Sequence, residues 1–141
     1  MSLLQLGFRP FYALASIFAI VAITVWLGAF SGFSGTGDYL HGTVWHSHEM
    51  LYGFSAAVIA GFLLTAVRNW TGLDTPAGAP LAAMAILWLA ARVLIVKGPA
   101  PIAALVDVLF LPVLAFAVAG LAGNHLAGGC ADVLYSGLFI L

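Results

Sequence analysis

The sequence predicts an all-α, polytopic transmembrane bundle with four membrane-spanning helices and the start of a fifth. Hydrophobic residues make up 64% of the 141 residues and charged residues only 6%, whereas charged residues are about 25% of an ordinary soluble domain. The mean hydropathy is +1.15. Four apolar stretches approach the length of about 20 residues that crosses the hydrocarbon core. We therefore expect a lipid bilayer to surround most of the chain.

The first predicted helix covers about residues 10–30. Arg9 precedes it, and no charged residue occurs from Pro10 to Phe30. This apolar run is longer than the roughly 7 to 15 residues of a cleavable signal sequence. Proline is tolerated in the first turn of a helix. The run is therefore expected to be a retained transmembrane helix.

Three further helices are predicted at about 48–67, 79–97 and 102–122. The loops between them are rich in glycine, serine and proline, and the last is the tight turn "KGPAP". Such residues end one helix and begin the next. Because the connections are short, neighbouring helices should be antiparallel. Residues 1–141 are expected to form one membrane domain.

The tail is expected to differ from the preceding helices. After Ala122 the stretch "GNHLAGGCAD" predicts a loop, and residues 133–141 begin another apolar run that is too short to cross a membrane. This pattern predicts that the chain is part of a larger bundle.

Charge and cysteine content exclude several classes of protein. The formal net charge of -1 gives no basic surface for nucleic acid. The single cysteine, Cys130, excludes an internal disulfide framework. Arg9 and Arg68 fall on one side of the bundle, so the positive-inside rule favours a cytoplasmic amino terminus and an outer position for "HSHE".

The stretch "TVWHSHEML" at 43–51 concentrates polar residues just before an apolar helix. On a wheel of 100° per residue, one face of this helix carries a histidine, a methionine and small residues, with Glu49 on its flank. These residues are His46, Met50, Gly53, Ala57, Gly61 and Leu64. Small residues at a spacing of four let a neighbouring helix or a flat ligand approach closely. His46, His48, Glu49, Met50, Gly53 and Gly61 are therefore the candidate cofactor-binding residues.

The local conformation decides how the two histidines could act. In a helix, His46 and His48 point about 200° apart and would serve different partners, whereas in an extended segment both could bind one ion. Thr43 and Ser47 are the rival N-caps for the two cases. Imidazole suits copper, iron or zinc, and the Met50 thioether suits Cu(I). His41 is a further candidate metal ligand.

An alternative interpretation needs no ligand for this cluster. Polar side chains are common at the membrane end of a helix, and Trp45 with Tyr39 would form an aromatic belt there.

Arg92 and Asp107 are predicted to form an intramembrane ion pair. Each lies about five residues inside its helix on either side of the "KGPAP" turn, so an antiparallel hairpin places them at similar depth. Charged groups at such depth are costly unless they are paired or face a cavity. A structural pair and a role with a haem propionate or a proton path both remain open.

Several segments together resemble the amino-terminal part of the NnrS family, over about residues 7–122. They are "FRPF", "WHSHEMLYGFSAAVIAGFLLTAVRNWTG", "LWLAAR" and "DVLFLP". Members of this family are multi-pass proteins of the bacterial inner membrane that contain haem and copper and are linked to nitric oxide and nitrosative stress. The tail "GNHLAGGCADVLYSGLFIL" departs from the family pattern, which gives His125, Cys130 and Asp132 no role.

The resemblance implies a bundle of about a dozen helices, with further carboxy-terminal helices as partners of this chain. It also implies that haem and copper are bound, with His46, His48 and Glu49 as the best local candidates, and that nitric oxide is a partner. A haem or copper carrier for respiratory enzymes and a proton-coupled transporter are the alternative functions. Whether the protein is an enzyme is left open.

Overall fold

The computed structural model of the chain describes residues 8–33, 36, 40–72 and 74–138. Every regular element in this part of the chain is helical. The elements are α1 (Phe8–Phe30), α2 (Gly42–His48), a π-helical segment (Glu49–Ser55), α3 (Ala56–Thr71), α4 (Ala79–Lys97) and α5 (Ala100–Leu138). Within the described ranges, four helical stretches are long and apolar enough to cross a membrane, which confirms the predicted fold class.

The second crossing is continuous from α2 through the π-helical segment to α3, and it begins at Gly42 instead of near residue 48. Neither predicted N-cap is used, because His41 occupies the N-cap position in an extended conformation. Gly42 has a φ of 54°, which favours glycine. Its N–H donates to Thr36 Oγ1 at 2.9 Å. The hydroxyl of Thr36, in the preceding loop, therefore accepts a hydrogen bond at the start of the helix, where an N-cap side chain was expected to do so.

The π-helical segment interrupts this crossing where the polar cluster meets the apolar helix. The amide of Ala56 donates to the carbonyl of Leu51, five residues earlier. The Ser55 hydroxyl donates to the carbonyl of Met50 at 2.8 Å. Hydrogen bonds of this spacing change the rotational register of a helix and often occur at functional sites. A wheel at a constant 100° per residue therefore does not relate the histidines correctly to α3.

The predicted loop after Ala122 is absent, because α5 continues without a break to Leu138. Pro112 lies inside this helix, and no proline follows it in the sequence. A glycine weakens a helix by about 1 kcal/mol relative to alanine but does not end it as proline does. The separate apolar run predicted at 133–141 is thus part of α5 as far as the structure describes it. The side chains of His125, Cys130 and Asp132 lie outside the described ones.

The helices pack around two apolar layers. The first layer is built mainly by α1, α3, α4 and α5; its buried residues are Phe11, Ala15, Ala56, Ala57, Ala60, Leu64, Leu81, Met84, Trp88, Phe110 and Leu114. The second layer lies nearer α2; its buried residues are Ala22, Trp45, Ile95 and Ala103. Trp45 is only 3% exposed. It is therefore a core residue and not part of an interfacial belt, while Tyr39 lies outside the described residues.

Helix α1 fills the small-residue groove of the second crossing. A Cβ atom added to Gly53 would lie 2.5 Å from Phe18 Cε1, and one added to Gly61 would lie 3.4 Å from the Tyr12 ring. Close helix packing is the usual reason for small residues at this spacing. Gly53 and Gly61 consequently contact a neighbouring helix in this structure, which leaves no space for a flat ligand along the groove.

The outer faces of the described bundle are apolar. Large hydrophobic side chains on α1, α4 and α5 are more than half exposed, including Ile20, Val93, Val108 and Phe116. Such surfaces are unfavourable in water and favourable in lipid. The chain is therefore a multi-pass membrane protein.

Candidate functional site

Three charged side chains are buried where the second crossing meets α4 and α5. Glu49, Arg92 and Asp107 are 1%, 6% and 7% exposed. Arg92 donates from Nη1 to Glu49 Oε2 at 2.8 Å and from Nη2 to Asp107 Oδ1. Its planar guanidinium can bind two carboxylates at once, which a lysine ammonium does less specifically. The structure thus brings Arg92 and Asp107 together and adds Glu49 to them.

His48 closes the group into a ring of contacts. Its Nε2 lies 3.1 Å from Asp107 Oδ2 and its Nδ1 lies 3.4 Å from Glu49 Oε1. The imidazole also stacks on Tyr52, with ring centroids 5.0 Å apart. His48, Glu49, Arg92 and Asp107 form what we call the ionic ring. It connects three of the four crossings through charged side chains.

The ionic ring lies between the two apolar layers. Along α4, Trp88 belongs to the first layer and Ile95 to the second, with Arg92 between them. Along α5, Asp107 likewise lies between Ala103 and Phe110. Glu49, Arg92 and Asp107 are therefore shielded by apolar side chains on both sides, while His48 is 22% exposed. Charges in such surroundings are stable only while they remain paired, because their desolvation costs several kcal/mol per ion.

The arrangement of the ring does not suit a metal ion. The Arg92 guanidinium binds both carboxylates, so it occupies the position between them that a cation would take. Both ring nitrogens of His48 face carboxylate oxygens. Among the described side chains, no three His, Cys, Asp or Glu residues form a group able to hold a metal. Of the candidate metal donors, His48 and Glu49 are thus committed to the ionic ring.

His46 has different surroundings from His48. Its ring stacks on Trp26 of α1, with centroids 4.3 Å apart and an angle of 18° between the planes. Its Nδ1 is buried and has no hydrogen-bond partner among the described residues. Because residues 42–48 are helical, the two histidines diverge. This is the helical alternative of the sequence analysis, in which each histidine serves its own partner.

The other candidate residues lie around these two centres. Met50 is partly buried and packs against the second apolar layer. His41 is exposed at the start of α2. Glu49, a candidate cofactor-binding residue, makes its shortest contact with Arg92, at 2.8 Å. The sequence interpretation did not connect Glu49 with Arg92, although a carboxylate beside an apolar helix was a signal that a buried cation was needed.

The ring has one further polar support that the sequence did not predict. Trp88 donates from Nε1 to the carbonyl of Gly53 at 3.0 Å. The same indole lies 5.9 Å from the Arg92 guanidinium carbon and makes an edge contact with Phe18. Trp88 therefore holds the π-helical segment against α4 next to the ionic ring. An indole N–H in an apolar sequence stretch carries no indication of its partner.

The chain matches a known protein family over most of its length. Residues 2–125 match the protein family described as NnrS protein. No curated protein and no solved structure matches the chain. The matched range contains all residues of the ionic ring, together with His46 and Trp26. Since the match covers most of the 141 residues, the chain belongs to the NnrS family.

Proposed function

We propose that the protein binds haem in the membrane and acts in nitric oxide metabolism or the nitrosative stress response, and that His46 is this chain's haem ligand. The observation that carries the proposal is the buried Nδ1 of His46, which has no hydrogen-bond partner in the described part of the chain. A buried polar atom without a partner costs about 1 to 3 kcal/mol. A bond from the imidazole to haem iron, or a contact with the bound cofactor, would offset this cost.

The chemistry of the donors supports His46 over His48. Histidine is a common protein ligand of haem iron, and His46 would be the residue of this chain that holds it. His46 is held by stacking on Trp26, whereas both nitrogens of His48 face carboxylates. Bound haem would supply an iron atom to which a diatomic gas such as nitric oxide coordinates. His46 would then orient the cofactor, and Trp26 would limit rotation of the imidazole.

Copper is not assigned to residues of this chain. The family resemblance implies copper, but the described His48, Glu49 and Asp107 side chains are turned towards Arg92 or towards one another. A copper site would need these contacts to be replaced. Our proposal for the described residues therefore concerns haem alone.

The test is the optical spectrum of the full-length protein purified with its cofactors, for wild type, His46→Ala and His48→Gln. We expect a haem absorption band in the wild type and in His48→Gln, and its loss in His46→Ala. His41→Ala, an exposed histidine five residues earlier, is the matched control and should keep the band. Wild-type protein without haem, or His46→Ala with a full complement of haem, would contradict the proposal.

The nitric oxide part of the proposal needs its own measurement. Nitric oxide added without oxygen should shift the haem band of the wild type. Cells that carry His46→Ala should be as sensitive to nitric oxide as cells that lack the protein. If haem is bound but neither result is obtained, a haem carrier becomes the better description.

Proton-coupled transport is a second candidate, and the ionic ring favours it. Four ionisable side chains lie in contact across three crossings, and such groups often mark proton paths in membranes. Protein reconstituted in vesicles should then acidify the lumen when substrate is supplied, and Asp107→Asn should abolish the response. The absence of any proton movement in wild-type vesicles would exclude this candidate.

A further inference from the structure

A cavity of about 390 Å³ opens between α1, α2 and α4, next to the ionic ring. Four valine side chains of α1 and α4 line it, and Trp45, Glu49, Arg92 and Lys97 are among its other lining residues. Its size falls within the range of about 300 to 1,000 Å³ that is typical of small-molecule sites. A mostly apolar cavity with a few polar groups is the usual form of such a site.

Two of the residues that line this cavity carry buried N–H groups without a partner. Trp45 Nε1 and Arg92 Nε make no hydrogen bond with any residue that the structure describes, and the two side chains are only 3% and 6% exposed. Most buried donors in proteins are paired. Both atoms can only donate a hydrogen bond. Two such donors on residues that line one cavity match a ligand that accepts hydrogen bonds at two points.

The charges beside the cavity favour a neutral acceptor. The Arg92 guanidinium already binds two carboxylates, those of Glu49 and Asp107. Lys97 also lines the cavity, so two cations and two carboxylates lie in it or beside it, and a further carboxylate or a phosphate would leave a negative charge in excess, at a cost that rises in apolar surroundings. A carbonyl oxygen accepts hydrogen bonds without adding charge. The ligand is therefore expected to carry carbonyl groups.

The position of the cavity indicates that this ligand comes from the lipid. Val21 on α1 and Val93 on α4 line the cavity and are 50% and 62% exposed. Both belong to the apolar outer faces of their helices. A molecule dissolved in the bilayer can thus reach the cavity from the side. The rings of Trp45 and Phe18, which also line it, offer flat apolar surfaces.

We propose that this cavity binds a lipid-dissolved quinone-type ring, whose two carbonyl oxygens accept hydrogen bonds from Trp45 Nε1 and Arg92 Nε. A quinone combines a flat ring, two neutral acceptors on opposite sides and an apolar tail. The site is separate from the haem ligand proposed above, because neither His46 nor Trp26 lines the cavity. The two proposals can therefore fail independently.

The experiment measures binding of a decyl-substituted 1,4-benzoquinone to the full-length protein in lipid nanodiscs. Quinone retained above the level of protein-free nanodiscs is extracted and quantified by chromatography. We expect saturable binding of one quinone per chain. Trp45→Phe keeps an aromatic ring but removes one donor, and should weaken binding about tenfold.

A matched pair of valine variants tests the location. Val93→Phe should fill the cavity and abolish binding. Val108→Phe places the same side chain on α5 at a residue of almost equal exposure, 64% against 62%, that does not line the cavity, and should leave binding unchanged. If Val93→Phe does not fold, Val93→Leu replaces it and should weaken binding. Equal binding by wild type and by the folded Val93 variant would overturn the proposal.

Two competitors test the chemistry of the ligand. Decylbenzene has the ring and the tail but no carbonyl group, and it should not displace the quinone. Decanoate has a carboxylate, and it should compete poorly because of Glu49 and Asp107. Equal competition by decylbenzene would reduce the site to an apolar cavity. Stronger competition by decanoate would show an anion site, and either result would overturn the proposal.

Discussion

Arg92 Nη1 and Glu49 Oε2 lie 2.8 Å apart, although the residues are separated by 43 positions in the chain. This bond joins α4 to the π-helical segment of the second crossing. Through Asp107 the same guanidinium also binds α5. Arg92 is therefore the residue on which the packing of three crossings around the ionic ring depends.

The substitution Arg92→Met should strongly destabilise the fold. It leaves the carboxylates of Glu49 and Asp107 buried without their cation, and removal of one partner from a buried pair costs about 3 to 5 kcal/mol. The measurement is unfolding of the purified full-length protein in mixed detergent micelles, followed by its helical circular dichroism.

Arg68→Met is the matched control for this experiment. Arg68 also pairs with an aspartate, Asp74, at 3.0 Å, but the two side chains are 42% and 89% exposed. An exposed pair contributes about 0 to 1 kcal/mol. Equal effects of the two substitutions would contradict the importance assigned to the ionic ring.

The substitution Asp107→Asn should be milder than Arg92→Met. Asparagine has the shape of aspartate, and its loss of charge leaves the Glu49 and Arg92 pair balanced at one negative and one positive charge. We expect a cost of about 1 to 2 kcal/mol, the size of a weakened charged hydrogen bond. The same unfolding assay should rank the variants as wild type, Asp107→Asn and Arg92→Met. A larger loss of stability in Asp107→Asn than in Arg92→Met would indicate that Asp107 contributes more than Arg92 to the stability of the fold.

The contact of Arg92 with Asp107 can be predicted from the sequence, because the prediction needs only the lengths of the two helices and the depth of each residue below the turn. Both residues lie near one tight turn, and the cost of unpaired charge in lipid requires a partner. The contact with Glu49 depends instead on the rotation of the second crossing about its axis. The π-helical segment from Glu49 to Ser55 changes that rotation. No propensity of individual residues in "EMLYGFS" indicates such a segment, so the contact of Glu49 with Arg92 could not be predicted from the sequence.

Helix ends were predicted less well than helices. The second crossing begins at Gly42, whose amide donates to the hydroxyl of Thr36 in the preceding loop. The prediction considered only N-cap side chains next to the helix, so it could not include this contact. The tail was predicted as a loop because glycine is frequent in it. Glycine only weakens a helix, so α5 continues.

Gly53→Ala should disturb the bundle more than Gly61→Ala. An added Cβ on Gly53 would lie 2.5 Å from Phe18 Cε1 and 2.9 Å from Glu49 Oε2, whereas on Gly61 the nearest atoms are at 3.4 Å. Forcing an extra methyl group into a packed core costs about 1 to 3 kcal/mol. Gly61→Ala should be within about 0.5 kcal/mol of wild type. The unfolding assay should separate the two variants clearly, and tolerance of both would show that Phe18 can move aside.

Trp88→Phe should destabilise the π-helical segment without changing the apolar packing much. Phenylalanine keeps an aromatic ring between α1 and α4 but cannot donate to the Gly53 carbonyl, which Trp88 Nε1 does at 3.0 Å. A buried carbonyl that loses its partner costs about 1 to 3 kcal/mol. In the full-length Trp88→Phe protein, hydrogen exchange relative to wild type should be accelerated more for the amides of residues 49–56 than for those of α4. Trp70→Phe is the control, because Trp70 is 73% exposed and its replacement should leave exchange unchanged. Uniformly faster exchange in all helices of Trp88→Phe would mean that the indole supports the whole bundle and not the π-helical segment in particular.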